Sequence, residues 1–135
     1  MKKGMKKSMK WIVITLLILI VLAGLTLAFA LPGLNQTAAL TIEAVDLTQI
    51  PDGSYTGSYN SYRWSTTVEV TVRDHRITEI LPVKIQSGRD SLNKELRDKV
   101  LLQQSAAVDV VSGATASSNA YLKAVESALK NGIGA

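Results

Sequence analysis

The run from Trp11 to Ala30 holds no charged residue and is about twenty residues long, close to what an α-helix needs to cross a ~30 Å hydrocarbon core. A chain of 135 residues has too little protein to cover such a helix on every side, so the run calls for lipid. Lys2, Lys3, Lys6, Lys7 and Lys10 precede it. A positive flank stays cytoplasmic, so the residues after Ala30 are expected outside the cytosol. Ala28-Phe29-Ala30 also fits a signal-peptidase site, but the apolar stretch exceeds the ~7–15 residues of a secretory signal, which favours a retained anchor. The chain then divides into a cytoplasmic basic segment (1–10), a transmembrane anchor (11–30), a linker and lead-in (31–50) and an extracytoplasmic domain (51–135). It reads as a single-pass protein of the cell membrane whose first partner is the lipid bilayer.

Charge and cysteine usage narrow the chemistry. The chain carries 15 Lys and Arg against 11 Asp and Glu, but five of the basic residues precede the apolar run. The exported part is therefore near neutral, without the basic stripe that nucleic-acid binding requires. No nucleic-acid partner is expected. There is no cysteine, which excludes disulfides, thiolate metal sites and iron–sulfur ligation. A single histidine, His75, excludes a His-rich metal site, so no metal ligands are expected. Any redox chemistry must come from an organic cofactor.

Beyond the anchor, Leu31–Thr37 carries Pro32 and Gly33 and reads as a linker. Ala38–Ile50 has mixed periodicity and fits either a strand or a short helix packed on the domain. Pro51-Asp52-Gly53 is a turn signal, after which Tyr55 and Tyr59 share one face of a short strand. Val68, Val70 and Val72 alternate with polar residues, and Ile77–Ile85 resumes the pattern, which predicts an antiparallel hairpin. Asp74-His75 at its tip implies either a residue in the left-handed region or a longer loop. Pro82 predicts an edge or a bulge. Leu92, Leu96, Val100 and Gln103 form the stripe of an amphipathic helix capped by Asp90 or Ser91. Ala106–Val111 fits a strand or an extended segment. A last helix runs from Ala116 or Ser117 to Lys130, with Ala120/Tyr121, Ala124/Val125 and Ala128/Leu129 inward. The fold class is α+β: a small antiparallel sheet packed with two helices, preceded by one transmembrane helix.

Asp109-Val110-Val111-Ser112-Gly113-Ala114-Thr115 leads into that last helix. Glycine lets a backbone approach closely, and a helix N-terminus offers unpaired N–H groups and a dipole that favours negative charge, so the corner suits phosphate. The plainer reading is that Ser112 or Thr115 caps the helix and Asp109 bonds nearby N–H groups.

The same seven residues resemble the Asp-x-x-Ser/Thr-Gly-Ala-Thr flavinylation motif of FMN-binding domain proteins, such as the C and G subunits of sodium-pumping NADH:quinone reductase and Rnf-type complexes. Five fixed positions recur by chance in a chain this long on the order of one time in ten thousand. Asp52-Gly53-Ser54-Tyr55-Thr56-Gly57 is similar to the family's opening pattern, and the likeness covers residues 50–130. His75 stands where the family commonly has glycine.

The resemblance implies an electron carrier and not an enzyme. A Mg²⁺-dependent flavin transferase would take FMN from FAD and join it covalently to Thr115, which makes this chain the transferase's substrate. The resemblance implies that Asp109 braces the turn, Ser112 donates a hydrogen bond, and Gly113 and Ala114 leave room for the phosphate. The implied partners are the flavin transferase and redox proteins in or outside the membrane. Trp64, Tyr62 and Tyr59 are candidates to stack on the flavin ring, with core packing the plainer role. Lys84 and Arg89 are candidates to pair with phosphate, and His75 a remote one to relay protons. Two rival readings are a tethered interaction module of the same fold without flavin, and an oxidoreductase using noncovalent FMN.

Overall fold

The computed structural model describes residues 2–134. They form two compact units that divide between Pro32 and Gly33. The first is one helix, α1 (Lys2–Ala30). Its segment Lys6–Phe29 has a mean hydropathy of 3.0 and is long and apolar enough to cross a membrane. Apolar side chains stand out on every side of it, Ile12 and Leu19 among them, as expected of a helix made for an apolar solvent.

The second unit is built on a three-stranded antiparallel sheet, β1 (Gly53–Tyr59), β2 (Thr66–Arg73) and β3 (Arg76–Lys84), in that spatial order. β2 lies in the middle, and its Val68, Val70 and Val72 are all fully buried while Thr67, Glu69 and Thr71 face the wetter side. Arg73 pairs with Arg76, so the hairpin turn is the two residues Asp74 and His75, at φ 51° and 59°. Positive φ at both positions is what the tightest hairpin turn demands, and a non-glycine residue there costs about 1 kcal/mol. Two bonds hold the tip. The Asp74 N–H donates to the Asp52 carboxylate at 2.8 Å, and His75 Nδ1 lies 3.3 Å from the Leu47 carbonyl oxygen. Pro82 sits on the edge strand, where the register shifts between Thr67 and Val68; a residue without an N–H is tolerated there.

Two longer helices cover the apolar face, α3 (Asp90–Gln103) and α4 (Thr115–Gly132), both numbered after the short α2 (Leu34–Ala38). α3 buries Leu92, Leu96 and Val100 against the core. Gln103 is exposed, and the following Gln104 does the structural work instead. At φ 54° it ends the helix, and its amide exchanges bonds of 2.6 and 3.0 Å with the Ile77 backbone. A glutamine side chain thus satisfies part of the free edge of β3. The expected cap at Asp90 or Ser91 is absent: Arg89 occupies that position without a side-chain bond, because the first helical bond already runs from Asn93 to the Arg89 carbonyl.

α4 is the centre of the unit. Ala120, Tyr121, Ala124, Val125, Ala128 and Leu129 are buried as expected, but so are Ser118, Asn119, Leu122 and Glu126. The burial is wide because more than the sheet covers the helix. Segment 31–50, expected as linker and lead-in, lies on the domain from Gly33 onward. Asn119 Nδ2 donates to the carbonyls of Thr37 and Ala38 at 3.0 and 3.1 Å, and Thr37 Oγ1 shares a 2.9 Å hydrogen bond with the Tyr59 hydroxyl. Farther on, the Glu43 N–H donates to the Glu126 carboxylate at 2.9 Å, and Lys123 and Lys130 approach the same carboxylate at 3.0 and 2.8 Å. Burial pushes the Glu126 carboxyl up, but the bonds from Lys130, the Glu43 N–H and Lys123 outweigh it, and its pKa is lowered. Ile50 then enters the core, fully buried. The segment between α3 and α4 joins no strand: the Val108 N–H turns back to the Ala106 carbonyl at 2.9 Å, and Ala106 and Val108 bury their side chains.

A corner and a basic hollow at the start of the last helix

Val111, Ser112, Gly113 and Ala114 form a tight turn closed by the Ala114 N–H donating to the Val111 carbonyl at 3.0 Å. Gly113 is its third residue at φ +78°, the position that favours glycine. A Cβ there would meet nothing within 4 Å. The demand on Gly113 is therefore conformational, and the space above it is open. Ala114 is the residue before the helix, and Thr115 is its first residue, exposed to solvent. No described side chain caps the helix, although Ser112 and Thr115 are both at hand. The cap reading of the corner is therefore wrong. The first N–H groups of an 18-residue helix stay open beside the Thr115 hydroxyl.

Asp109 does not brace the turn. It is exposed, and no hydrogen bond or ion pair joins it to another described residue. The bracing comes from behind, where the fully buried Ser118 hydroxyl accepts the Val111 N–H at 3.2 Å. Ser112 is exposed in the turn and Ala114 half-buried.

The domain also holds a hollow of about 400 Å³ lined by Arg63, Trp64, Gln86, Ser87 and Arg89. Its walls are tied to the first turn of α4. The Ser117 hydroxyl donates to Gln86 Oε1 at 3.2 Å, and the Gln86 amide in turn donates to the Arg63 carbonyl. Trp64, 7% exposed, packs against Ala116 and Ala120, so core packing is part of its role. The Arg63 guanidinium carbon stands 5.3 Å from the centroid of the Trp64 ring, a cation–π distance. No carboxylate lines the hollow, and neither arginine has an ion-pair partner among the described residues.

The other sequence candidates lie elsewhere. Tyr59 is half-buried with its hydroxyl bonded to Thr37, Tyr62 is 74% exposed, and Lys84 lines no part of the hollow. His75 faces the Leu47 carbonyl, within electrostatic reach of the Asp46 carboxylate, and lines no part of the hollow. Ser117, Ser118 and Gln86 were not singled out from the sequence. Their signal was a run of polar residues, Ser117-Ser118-Asn119, on the inward side of an otherwise apolar helix. Polar side chains in such a place must find partners, and those proved to be the hollow for Ser117, the turn for Ser118 and the 31–50 segment for Asn119.

The residues fit a flavin phosphate and ring. An exposed hydroxyl adjoins unclaimed helix N–H groups, and an aromatic and two guanidinium groups surround a volume within the usual range of ligand sites. No curated protein matches the chain. A family model of the FMN-binding domain matches residues 62–130, just over half of the sequence and the part that holds the corner, the hollow and all but the last two residues of α4. The chain belongs to the FMN-binding domain family, and with that membership come flavin binding and electron transfer.

Proposed function

We propose that this protein carries FMN covalently on Thr115 and works as a membrane-anchored, extracytoplasmic electron carrier. The observation that carries the reading is the exposed Thr115 hydroxyl at the open N-terminus of α4, within the segment that matches the family. In the attachment step the Thr115 oxygen loses its proton and forms a bond to the FMN phosphorus, the pyrophosphate link of FAD breaks, and AMP leaves. An alcohol is a poor nucleophile, so the base and Mg²⁺ belong to the transferase. The chain's own contribution is presentation: Gly113 bends the backbone, Ala114 is small, and the helix terminus stabilises the phosphodiester charge. Asp109, exposed and unbonded, is available for contact with the transferase. When bound, the flavin supplies one- and two-electron chemistry to redox partners. Covalent attachment keeps it from being lost outside the cell, where the five leading lysines orient the domain.

Co-expression with a flavin transferase, followed by intact mass and in-gel flavin fluorescence, tests the reading. One added FMN, absent from Thr115→Ala, is expected. An unmodified wild-type chain beside a modified control would leave the interaction-module reading. Flavin that comes off on denaturation would favour noncovalent use.

A further inference from the structure

The charge on the hollow goes beyond attachment. Accepting this reading of Thr115, we propose that Arg63 and Arg89 form a cationic seat for the reduced flavin ring and raise the potential at which it takes electrons. The hollow is held within one helical turn of Thr115 by the Ser117–Gln86–Arg63 link and by Trp64 against Ala116. It carries two guanidinium groups, the planar cations best suited to a delocalised negative charge. They have no ion-pair partner among the described residues, and no acid lines the hollow to offset them. Arg63 is further restrained over the Trp64 ring. The adjacent hollow between β3 and α3 differs, since Asp90 lies on its wall beside Lys94 and Arg97.

The chemistry that uses such a seat is reduction with fewer protons than electrons. Two electrons from a donor, an electrode in the assay, and one proton from solvent leave one negative charge on the ring. Fixed positive charge close by favours that product over the neutral oxidised ring, by an amount that depends on distance and local dielectric. The second role open to the same guanidinium groups is to hold the phosphodiester. That charge is the same in both redox states, so this role would not move the potential.

Spectroelectrochemical titration of the flavinylated full-length chain in detergent separates the two. Arg63→Gln and Arg89→Gln should each shift the equilibrium toward oxidised flavin about threefold. The double variant should shift it roughly tenfold, ~30 mV for a two-electron couple. Lys84→Gln, a charge outside the hollow, should leave it within a factor of two. A double variant within a factor of two of wild type, or an equal shift from Lys84→Gln, overturns the proposal. Loss of flavinylation yield with an unchanged potential assigns the arginines to the phosphate and likewise overturns it. If the double variant takes up no flavin, the wild type alone decides: raising salt to about 1 M should lower the potential by screening, and insensitivity to salt refutes the seat. A wild-type chain without covalent flavin refutes the Thr115 reading instead.

Discussion

Gly57 and Gly113 meet the same helix at different points, and their surroundings are opposite. Gly57, on β1, lies under the middle of α4, where an added Cβ would come within 2.1 Å of the Ala128 nitrogen and 2.2 Å of the Ala124 oxygen. Gly113 precedes the start of α4, where an added Cβ would touch nothing within 4 Å but the backbone sits at φ +78°. One glycine is required by contact and the other by conformation. The middle of α4 is thus committed to packing, and its N-terminus is left open. The unit is closely packed where the sheet meets the helix and open above Gly113.

Substitutions can break this contrast in graded ways. Gly57→Ala should do the most damage, because backbone atoms cannot move aside as a flexible side chain can. A loss of about 3 kcal/mol or more is expected, read as a large fall in the denaturant midpoint. A midpoint within ~0.5 kcal/mol of wild type would show that α4 can lift off β1.

Next comes Glu126→Gln, which removes a buried carboxylate that ties α4 to the Glu43 segment. About 2 kcal/mol should be lost by the same measurement. The same group predicts acid sensitivity. Its folded pKa lies below its unfolded value, so its contribution is present above the unfolded pKa and is lost as pH falls through the folded one. Stability of the wild type should therefore drop below about pH 4.3, and that part of the drop should be missing in the glutamine variant.

Gly113→Ala should cost less, about 1 kcal/mol for the left-handed backbone, with no steric component. Flavin attachment at Thr115 should slow without being abolished, which a time course of in-gel fluorescence would resolve. A cost as large as that of Gly57→Ala would erase the contrast between the two glycines. The smallest effect is expected at Asp109→Asn, within ~0.5 kcal/mol, since this carboxylate has no described partner. Slower flavinylation at unchanged stability would sharpen the picture of Asp109 as a contact for the transferase.

Much of this was legible in the residues because it depends on local pattern. The apolar run of α1 and the alternation of Val68, Val70 and Val72 follow from periods of 3.6 and two. The stripe of α4 follows from the same rule. The left-handed backbone at Asp74 and His75 was one of two alternatives that a two-residue turn decided. Helix starts were read less well. Asp90, Ser91, Ser112 and Thr115 all have cap-forming side chains, yet neither α3 nor α4 uses one among the described residues. Propensity says which residues can cap, and the loop geometry decides whether they do. Segment 31–50 was legible only in part for a related reason: a strand or short helix packed on the domain was expected over Ala38–Ile50, but the partners that hold the segment, Asn119 and Glu126, lie more than eighty positions away.

By itself, then, the sequence determined a charge-free run fit for lipid, an amphipathic hairpin with two covering helices, and a Ser-Gly-Ala-Thr corner with its family likeness. Each is set by neighbours within a few positions, where side-chain period and backbone preference act directly. Only the tertiary structure decided that the corner stays uncapped, that Ser118 braces the turn in place of Asp109, and that Arg63, Trp64, Gln86 and Arg89 share one hollow tied to the first turn of α4. Those outcomes depend on which distant groups compete for the same hydrogen bonds and the same space, and that competition is settled only when α4 docks on the sheet.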